Sequence, residues 1–218
     1  MNIMHSILAI SLVLSLALFS TAALNPCSFA TNDMSLTEAQ LIQIAPQSKS
    51  CDDAPAKGEC ATAKTAADSI SQSFNTYKVT NKAEQVAILS LMAFESNDFK
   101  YNKNHFPGIL GQGTRNMQSP AFNKKYAKSI PELKSRFYFV ENIPADLLDL
   151  LRENKTYDFG SGAWFLTTQC SKEVRSALQD GSEKGWKNYI TECLETNVTH
   201  ERKEYWDRSA EALGVKDA

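Results

Sequence analysis

Apolar residues recur at three- and four-residue intervals along most of the chain, which is the pattern of amphipathic helices. No comparable stretch alternates apolar and polar residues in the way that predicts strands. Helices are predicted over residues 35–45, 61–77, 80–96, 119–128, 130–137, 143–154, 158–170, 174–178, 186–193 and 201–213. The predicted fold class is therefore mainly α.

One of these helices, "NKAEQVAILSLMAFES", differs from the others because apolar residues surround it. From Val86 to Phe94 only Ser90 is polar, and a helix that is apolar on all sides belongs in the interior of a protein. Asn81 and Glu84 have the spacing of a capping box at its start. We therefore predict that this is the central helix of the fold.

The segment that follows, "NDFKYNKNHFPGILGQGTRNMQ", lacks helical spacing and is rich in Asn, Gly and aromatic residues. Pro107, Gly108, Gly111 and Gly113 interrupt regular structure there. We predict a long structured loop or a small β-hairpin lobe, which is the one place where strands are expected. Long loops in compact domains often carry function.

The amino terminus has the pattern of a secretory signal. Residues 7–19 form an apolar run too short to span a bilayer, and the small residues "STAA" suit cleavage after Ala22 or Ala23. Secretion to the extracellular space is predicted, with no membrane attachment after removal of the signal. The predicted organisation is a signal peptide at 1–23, an N-terminal extension at 24–60 and a helical domain at 61–218.

The five cysteines of a secreted chain are expected to form disulfides. Local pairing suggests Cys51 with Cys60 and Cys170 with Cys193. Cys27 would be left over, although it could displace Cys51 or Cys60. The sequence has no CxxC motif and only three histidines, so we predict neither a metal ion nor another cofactor.

Composition and charge exclude some classes of protein. Hydrophobic residues make up 43% of the chain and charged residues 22%, which is ordinary for a globular domain. The net charge is −2, the pI is near 6.0 and no basic stripe is present, so nucleic acid is not an expected partner. Glycosylation sequons at Asn154 and Asn197 predict surface positions. We expect a monomer.

Glu95 ends the apolar helix and is the first candidate for chemistry. On a helical wheel it lies above Ile88, Leu91 and Met92, so its own face is apolar. Burial against such a face raises the pKa of a carboxyl group, and a carboxylic acid that keeps its proton can protonate a leaving oxygen. The alternative interpretation is that Glu95 is the first exposed residue of the helix end.

The segment "AFESNDFKYN" resembles a segment of the lysozyme-like superfamily, which includes lytic transglycosylases and goose-type lysozymes. Their glutamate, at the end of a helix and followed by Ser, is the catalytic acid. "GQGTRNMQSPAF" resembles the hairpin that lines their sugar cleft, although only Met117 and Gln118 carry over from its Gly-Leu-Met-Gln turn. "YDFGSGAW" resembles a later motif with a tyrosine. The chain is also similar to a secreted fungal family of lysozyme-like proteins that shares "FKYNKNHFPG" and "GTRNMQSPAF".

The resemblance implies a lysozyme-like helical domain with a small β-hairpin lobe beside a cleft, and Glu95 as general acid. Asp98 is the candidate second carboxylate, with Asp158 as an alternative that folding would have to bring close. The candidate substrate-binding residues are Tyr101, Asn102, His105, Asn116, Gln118 and Tyr157.

The implied function is a secreted glycosidase that cleaves a β-1,4-linked amino-sugar polymer such as peptidoglycan, chitin or chitosan. The slightly acidic charge speaks against an anionic bacterial wall as the substrate. The alternative is a secreted lysozyme-like effector that binds a glycan or a host protein and catalyses nothing. A third possibility is a purely structural extracellular domain.

Overall fold

The structure of the protein is a computed structural model that describes residues 35–215. The α-helices are α1 (Glu38–Ile44), α2 (Ala63–Tyr77), α3 (Lys82–Glu95), α4 (Pro120–Ser129), α5 (Lys134–Val140), α6 (Pro144–Arg152), α7 (Lys155–Gln169), α8 (Lys172–Leu178), α9 (Glu183–Asn188) and α10 (His200–Leu213). Short 3-10 turns at Pro46–Lys49 and Pro131–Leu133 and a π-helical turn at Tyr189–Cys193 complete the regular structure. The predicted mainly α class is confirmed.

The predicted β-hairpin lobe is wrong for the part of the chain that is described. Only isolated bridges form there, between Lys103 and Gly113 and between Gly113 and Gln118. The backbone between α3 and α4 enters the left-handed region repeatedly, which strands cannot accommodate. The residues with positive φ in this loop, besides glycines, are Asn97, Asp98, Phe99, Thr114 and Met117.

Side chains take over the hydrogen bonds that a strand ladder would make in this loop. Asn104 Oδ1 accepts hydrogen bonds from the backbone N–H groups of Gly108 at 2.8 Å and Ile109 at 3.1 Å. Asn123 Nδ2, on α4, donates to the carbonyl of Gly111 at 2.8 Å. The loop is thus fixed in part by amide side chains, which satisfy backbone groups without a partner strand.

The helices begin where capping residues predict. Asn81 Oδ1 accepts hydrogen bonds from the N–H groups of Ala83 and Glu84 at the start of α3. Pro120 and Pro144 occupy first-turn positions, where a missing N–H is tolerated. At the other end of the chain, α10 ends at Gly214, which adopts a φ of +68°.

Helix α3 lies at the centre of the main core, as its pattern predicts. It is buried along most of its length and packs against α10 and α7, and α2 also packs against α7. Gly162 on α7 allows the close approach, because a Cβ there would lie 3.2 Å from Ile88 Cγ2 and 3.3 Å from Met92 Sδ. The small residues of α7 therefore serve helix packing.

A second core lies beneath α4, α5 and α6, where Tyr126, Leu133, Leu147, Leu151 and Trp164 are buried together. The other two tryptophans stack on each other in the main core, with ring centroids 5.3 Å apart. All three tryptophans are therefore packing residues.

The segment before α2 packs into the main core rather than away from it, since Leu41 and Ile44 of α1 are fully buried there. The structure contains disulfides between Cys51 and Cys60 and between Cys170 and Cys193.

The predicted signal peptide and Cys27 lie outside the described residues. Asn154 and Asn197, the two sequon asparagines, are exposed. Between residues 35 and 215, no helix combines the length and the apolar character that crossing a bilayer requires.

Candidate functional site

Two adjoining grooves meet at the carboxyl end of α3. The first, which we call the Arg202 groove, has a volume of about 390 Å³, and the second, the loop groove, about 220 Å³. Glu95, Gln112 and Met117 line both grooves. The Arg202 groove is further lined by Leu91, Asn116, Gln118, Ser119, Phe122, Phe165, Leu194, Glu195, Thr196 and Arg202. The loop groove is further lined by Tyr101, Lys103, Asn104, His105 and Phe106.

Glu95 forms an ion pair at the junction of the grooves. Its Oε1 accepts a hydrogen bond from Arg202 Nη2 at 2.6 Å, and the guanidinium lies 4.4 Å from the centre of the Phe94 ring. The side chain of Glu95 is 21% exposed and that of Arg202 is 12% exposed. The expectation of an acid held against an apolar face is wrong, because the carboxylate faces a guanidinium.

Several buried polar atoms around this pair have no hydrogen-bond partner among the described residues. They are Gln112 Oε1, Arg202 Nη1 and the hydroxyl of Tyr189. Burial raises the pKa of Tyr189 far above its usual range, against a smaller lowering by the charge of Arg202. Buried polar atoms without partners are uncommon in folded proteins, so this cluster is a distinctive feature of the junction.

The structure brings four of the predicted binding residues to the grooves. Asn116 and Gln118 line the Arg202 groove, while Tyr101 and His105 line the loop groove. Gln118 is fixed in place, because its Nε2 donates to Asn123 Oδ1 at 2.8 Å. Glu95 and Gln118 therefore line the same groove.

Asp98 does not reach the grooves. Its side chain is buried, and its two oxygens accept hydrogen bonds from the N–H of Gln47 at 2.9 Å and from the Tyr205 hydroxyl at 2.6 Å. These bonds join the start of the loop to the segment after α1 and to α10. The interpretation of Asp98 as a second carboxylate of the site is corrected to a structural role.

Asn102 and Asp158 belong to a buried network behind the loop. Asn102 Nδ2 donates to Asp158 Oδ2 at 3.0 Å, and Arg115 Nε donates to the same oxygen at 2.8 Å. Arg115 is fully buried and donates further to the carbonyls of Phe99, Tyr101 and Glu59. These residues hold the loop in shape and do not face a ligand, contrary to the prediction for Asn102.

Tyr157 was expected to bind the same ligand as Glu95, but it lines a different pocket between α2, α4 and α7. The first turn of α7 places it there, while the fully buried Asp158 points from the next position towards Arg115. The sequence motif around Tyr157 therefore marks helix packing and a second cavity.

His105 connects the loop groove to a buried carboxylate. Its Nε2 lies 3.0 Å from Glu59 Oε1, and Lys103 and Arg152 lie 3.8 Å and 3.6 Å from the same oxygen. The only other described histidine, His200, is exposed beside Glu204. The described part of the chain has no group of three or more His, Cys, Asp or Glu side chains that could hold a metal ion.

Arg202 and Gln112 are the site residues that sequence reasoning missed. Arg202 is 107 positions from Glu95 in the chain, and nothing in the helical pattern of α10 distinguishes it from the other charged residues there. Gln112 lies among the glycines of the loop, where its amide resembled ordinary turn chemistry. Only the fold brings both side chains to Glu95.

Comparison with known proteins gives one clear similarity. A protein from Fusarium oxysporum (strain Fo5176), a "Bifunctional dioxygenase (DOX)-epoxy alcohol synthase (EAS)", is 45% identical to the chain over 157 residues. The match covers 69% of this chain but 12% of the relative, so the chain spans a small part of that protein's length. No protein-family profile matches the chain. No solved structure matches it.

This similarity contradicts the predicted glycosidase. The relative is named as an oxidative enzyme, and identity over 157 residues outweighs a resemblance confined to short motifs around one glutamate. The prediction of a hydrolase acting on amino-sugar polymers, and of a lysozyme-like enzyme, is therefore wrong. One departure from the lysozyme-like motif already has a structural reason, since Arg115 in "RNMQ" is an anchor of the buried network.

Proposed function

We propose that the chain is a binding module for a neutral, oxygenated organic ligand with an apolar body, of the epoxy alcohol class. Its binding site is the surface formed by the Arg202 groove and the loop groove. The name of the Fusarium relative includes an epoxy alcohol synthase, and a module that binds such a compound would serve a protein of that kind. The proposal concerns binding only, because the matched segment is 12% of the relative.

The observation that carries this proposal is the pair of acceptors that both grooves share. Arg202 engages Glu95 Oε1, so Glu95 Oε2 can accept a hydrogen bond from a ligand. Gln112 Oε1 is buried without a partner among the described residues. A ligand hydroxyl donates to such acceptors, whereas an anionic group would be repelled by them.

The charges of the grooves favour a ligand without net charge. Glu95 and Arg202 neutralise each other, and the remaining charged side chains, Glu195 and Lys103, have opposite signs. Ligand pockets usually combine an apolar part with a few polar groups that fix the orientation of the ligand. The Arg202 groove supplies the apolar part through Leu91, Phe122, Phe165 and Leu194.

Donors for an epoxide oxygen lie on the loop side. Lys103 and His105 line the loop groove, and the side chain of Lys103 is 46% exposed. A hydroxyl on Glu95 and an ether-type oxygen on the loop would orient one ligand across the junction. That division of donors and acceptors is what distinguishes an epoxy alcohol from a plain alcohol at this site.

Calorimetric titration of the purified chain with an epoxy-decanol, with plain decanol and with a chitosan oligomer tests the ligand class. We expect the epoxy-decanol to bind most tightly. Glu95→Gln should weaken its binding about tenfold, as loss of a hydrogen bond to a charged group does. Glu211→Gln, on an exposed residue that lines neither groove, is the matched control. Equal affinity for both alcohols, or no effect of Glu95→Gln, would refute the proposal.

Export of the protein is part of the same proposal. The apolar leader followed by small residues favours secretion, and the two disulfides are compatible with an oxidising compartment. Detection of the chain in culture medium, with a new amino terminus after residue 22 or 23, tests it. Retention of the leader in the recovered protein would contradict it.

A further inference from the structure

A second pocket, larger than either groove, lies between α2, the end of α4 and the start of α7. We call it the tyrosine pocket. It has a volume of about 450 Å³. It is lined by Gln72, Ser73, Thr76, Tyr77, Tyr126, Ser129, Ile130, Pro131, Glu132, Asn154, Thr156 and Tyr157. None of these residues lines the grooves at Glu95.

Tyr126 forms the floor of the tyrosine pocket. Its hydroxyl donates to the carbonyl of Tyr157 at 3.0 Å. Gly160 makes room for this hydroxyl, because a Cβ at position 160 would lie 2.5 Å from the Tyr126 oxygen. The ring of Tyr126 also packs on Trp164, with centroids 5.0 Å apart. The floor is therefore held rigidly by α7.

The hydroxyl groups of Tyr77 and Tyr126 are hydrogen-bonded to each other, and both phenols stay neutral at ordinary pH. Burial raises the pKa of Tyr77, although its hydrogen bond with Tyr126 opposes the shift, and burial raises the pKa of Tyr126 more strongly. A neutral phenol has an electron-rich ring face and a hydroxyl oxygen, and both tyrosines line the cavity. Such surfaces attract cations.

The charges at the tyrosine pocket also favour a cation. Glu132, in the turn after α4, is the one carboxylate among its lining residues, which include no Lys, Arg or His. Glu132 and Tyr77 both line the cavity, and the charge of Glu132 adds to the rise that burial causes in the pKa of Tyr77. The cavity therefore combines one negative charge with three tyrosine side chains and has no positive charge of its own.

We propose that the tyrosine pocket binds a small organic cation, a primary or methylated ammonium compound. The ammonium group would lie between Glu132 and the half-buried rings of Tyr77 and Tyr157, above the hydroxyl of Tyr126. Amide and hydroxyl groups of Gln72, Thr76 and Asn154 at the rim suit a polar substituent of the ligand. The site is independent of the Glu95 grooves and of the ligand proposed for them.

The test compares choline with its uncharged carbon analogue, in which a carbon atom replaces the nitrogen. The two compounds have the same shape, so a difference in affinity reports the charge. Titration of the purified chain, followed by calorimetry and by tyrosine fluorescence, should show choline binding at least about tenfold more tightly, the sum of cation–π attraction and the pairing with Glu132.

Two variants locate the binding. Tyr157→Leu should weaken choline binding about threefold to thirtyfold through loss of a ring face. Glu132→Gln should weaken it about twofold to fivefold, because Glu132 is exposed and its charge is partly screened. Glu211→Gln removes an exposed carboxylate from α10, outside the pocket lining, and should leave the affinity unchanged.

Equal affinity for choline and its carbon analogue, or binding of neither at millimolar concentration, overturns the proposal. An equal loss of affinity in Glu132→Gln and Glu211→Gln also overturns it, because it would report only the net charge. If Tyr157→Leu does not fold, Glu132→Gln still decides, since an exposed turn carboxylate is not needed for packing. Binding of epoxy-decanol at the Glu95 grooves is scored separately and does not affect this result.

Discussion

Two arginine–carboxylate pairs of the molecule differ in how far they are buried, Arg115–Asp158 and Arg202–Glu95. The first is fully buried, with a distance of 2.8 Å, and the second lies at the junction of two grooves, with a distance of 2.6 Å and partial exposure. Arg115 donates three further hydrogen bonds to backbone carbonyls, whereas Arg202 Nη1 has no hydrogen-bond partner in the described chain. Asp158 Oδ1 also has no partner there. The fully buried pair holds the fold, and the partly exposed pair can be reached by a ligand through Glu95.

The largest effect is expected at the buried pair. Arg115→Leu would leave Asp158 as an uncompensated buried charge and would remove the donors to the carbonyls of Phe99, Tyr101 and Glu59. We expect the free energy of unfolding to fall by about 3–5 kcal/mol, measured by urea denaturation. A loss below about 1 kcal/mol would remove the distinction between the two pairs.

The pair at the grooves should affect stability less and binding more. We expect Glu95→Gln to change the free energy of unfolding by about 1 kcal/mol or less, because both side chains are partly solvated. Ligand binding should fall about tenfold in the same variant. Urea denaturation and titration of one protein preparation measure both quantities. A stability loss as large as that of Arg115→Leu would make Glu95 a structural residue.

A third ion pair, on the surface, is expected to have the smallest effect on the free energy of unfolding. Arg136 and Glu153 lie 2.7 Å apart with side chains 57% and 55% exposed. Since water and salt screen such a pair, Arg136→Gln should change the free energy of unfolding by less than about 0.5 kcal/mol. Thermal unfolding at low and high salt checks this, with Lys128→Gln as a control on another exposed cation. A larger effect would indicate that α5 and α6 depend on this contact.

The helices could be predicted because their signals are local. The cap at Asn81, the first-turn prolines and the apolar run of α3 lie within a few residues of the element they define. The disulfides could be predicted for the same reason, because their cysteines are only 9 and 23 residues apart in the sequence. Within residues 35–215, periodicity and capping therefore account for most of the architecture.

The loop and the site could not be predicted in the same way. The left-handed backbone at Asn97, Asp98 and Phe99 excludes the expected strand. None of these residues is a glycine, so the sequence gives no sign of this conformation. Glu95 was correctly placed at the end of the central helix, but its charge partner comes from α10. The catalytic interpretation depended on surroundings that only the tertiary structure supplies.

The loop that forms one wall of both grooves is tied to the residue beside Cys60. The carbonyl of Glu59 accepts a hydrogen bond from Arg115, and its carboxylate accepts one from the backbone N–H of Asn102. Cys60 forms a disulfide with Cys51. Thiol reductants that break the Cys51–Cys60 disulfide should therefore loosen this loop and lower the affinity for the ligand, although no residue that contacts the ligand is changed.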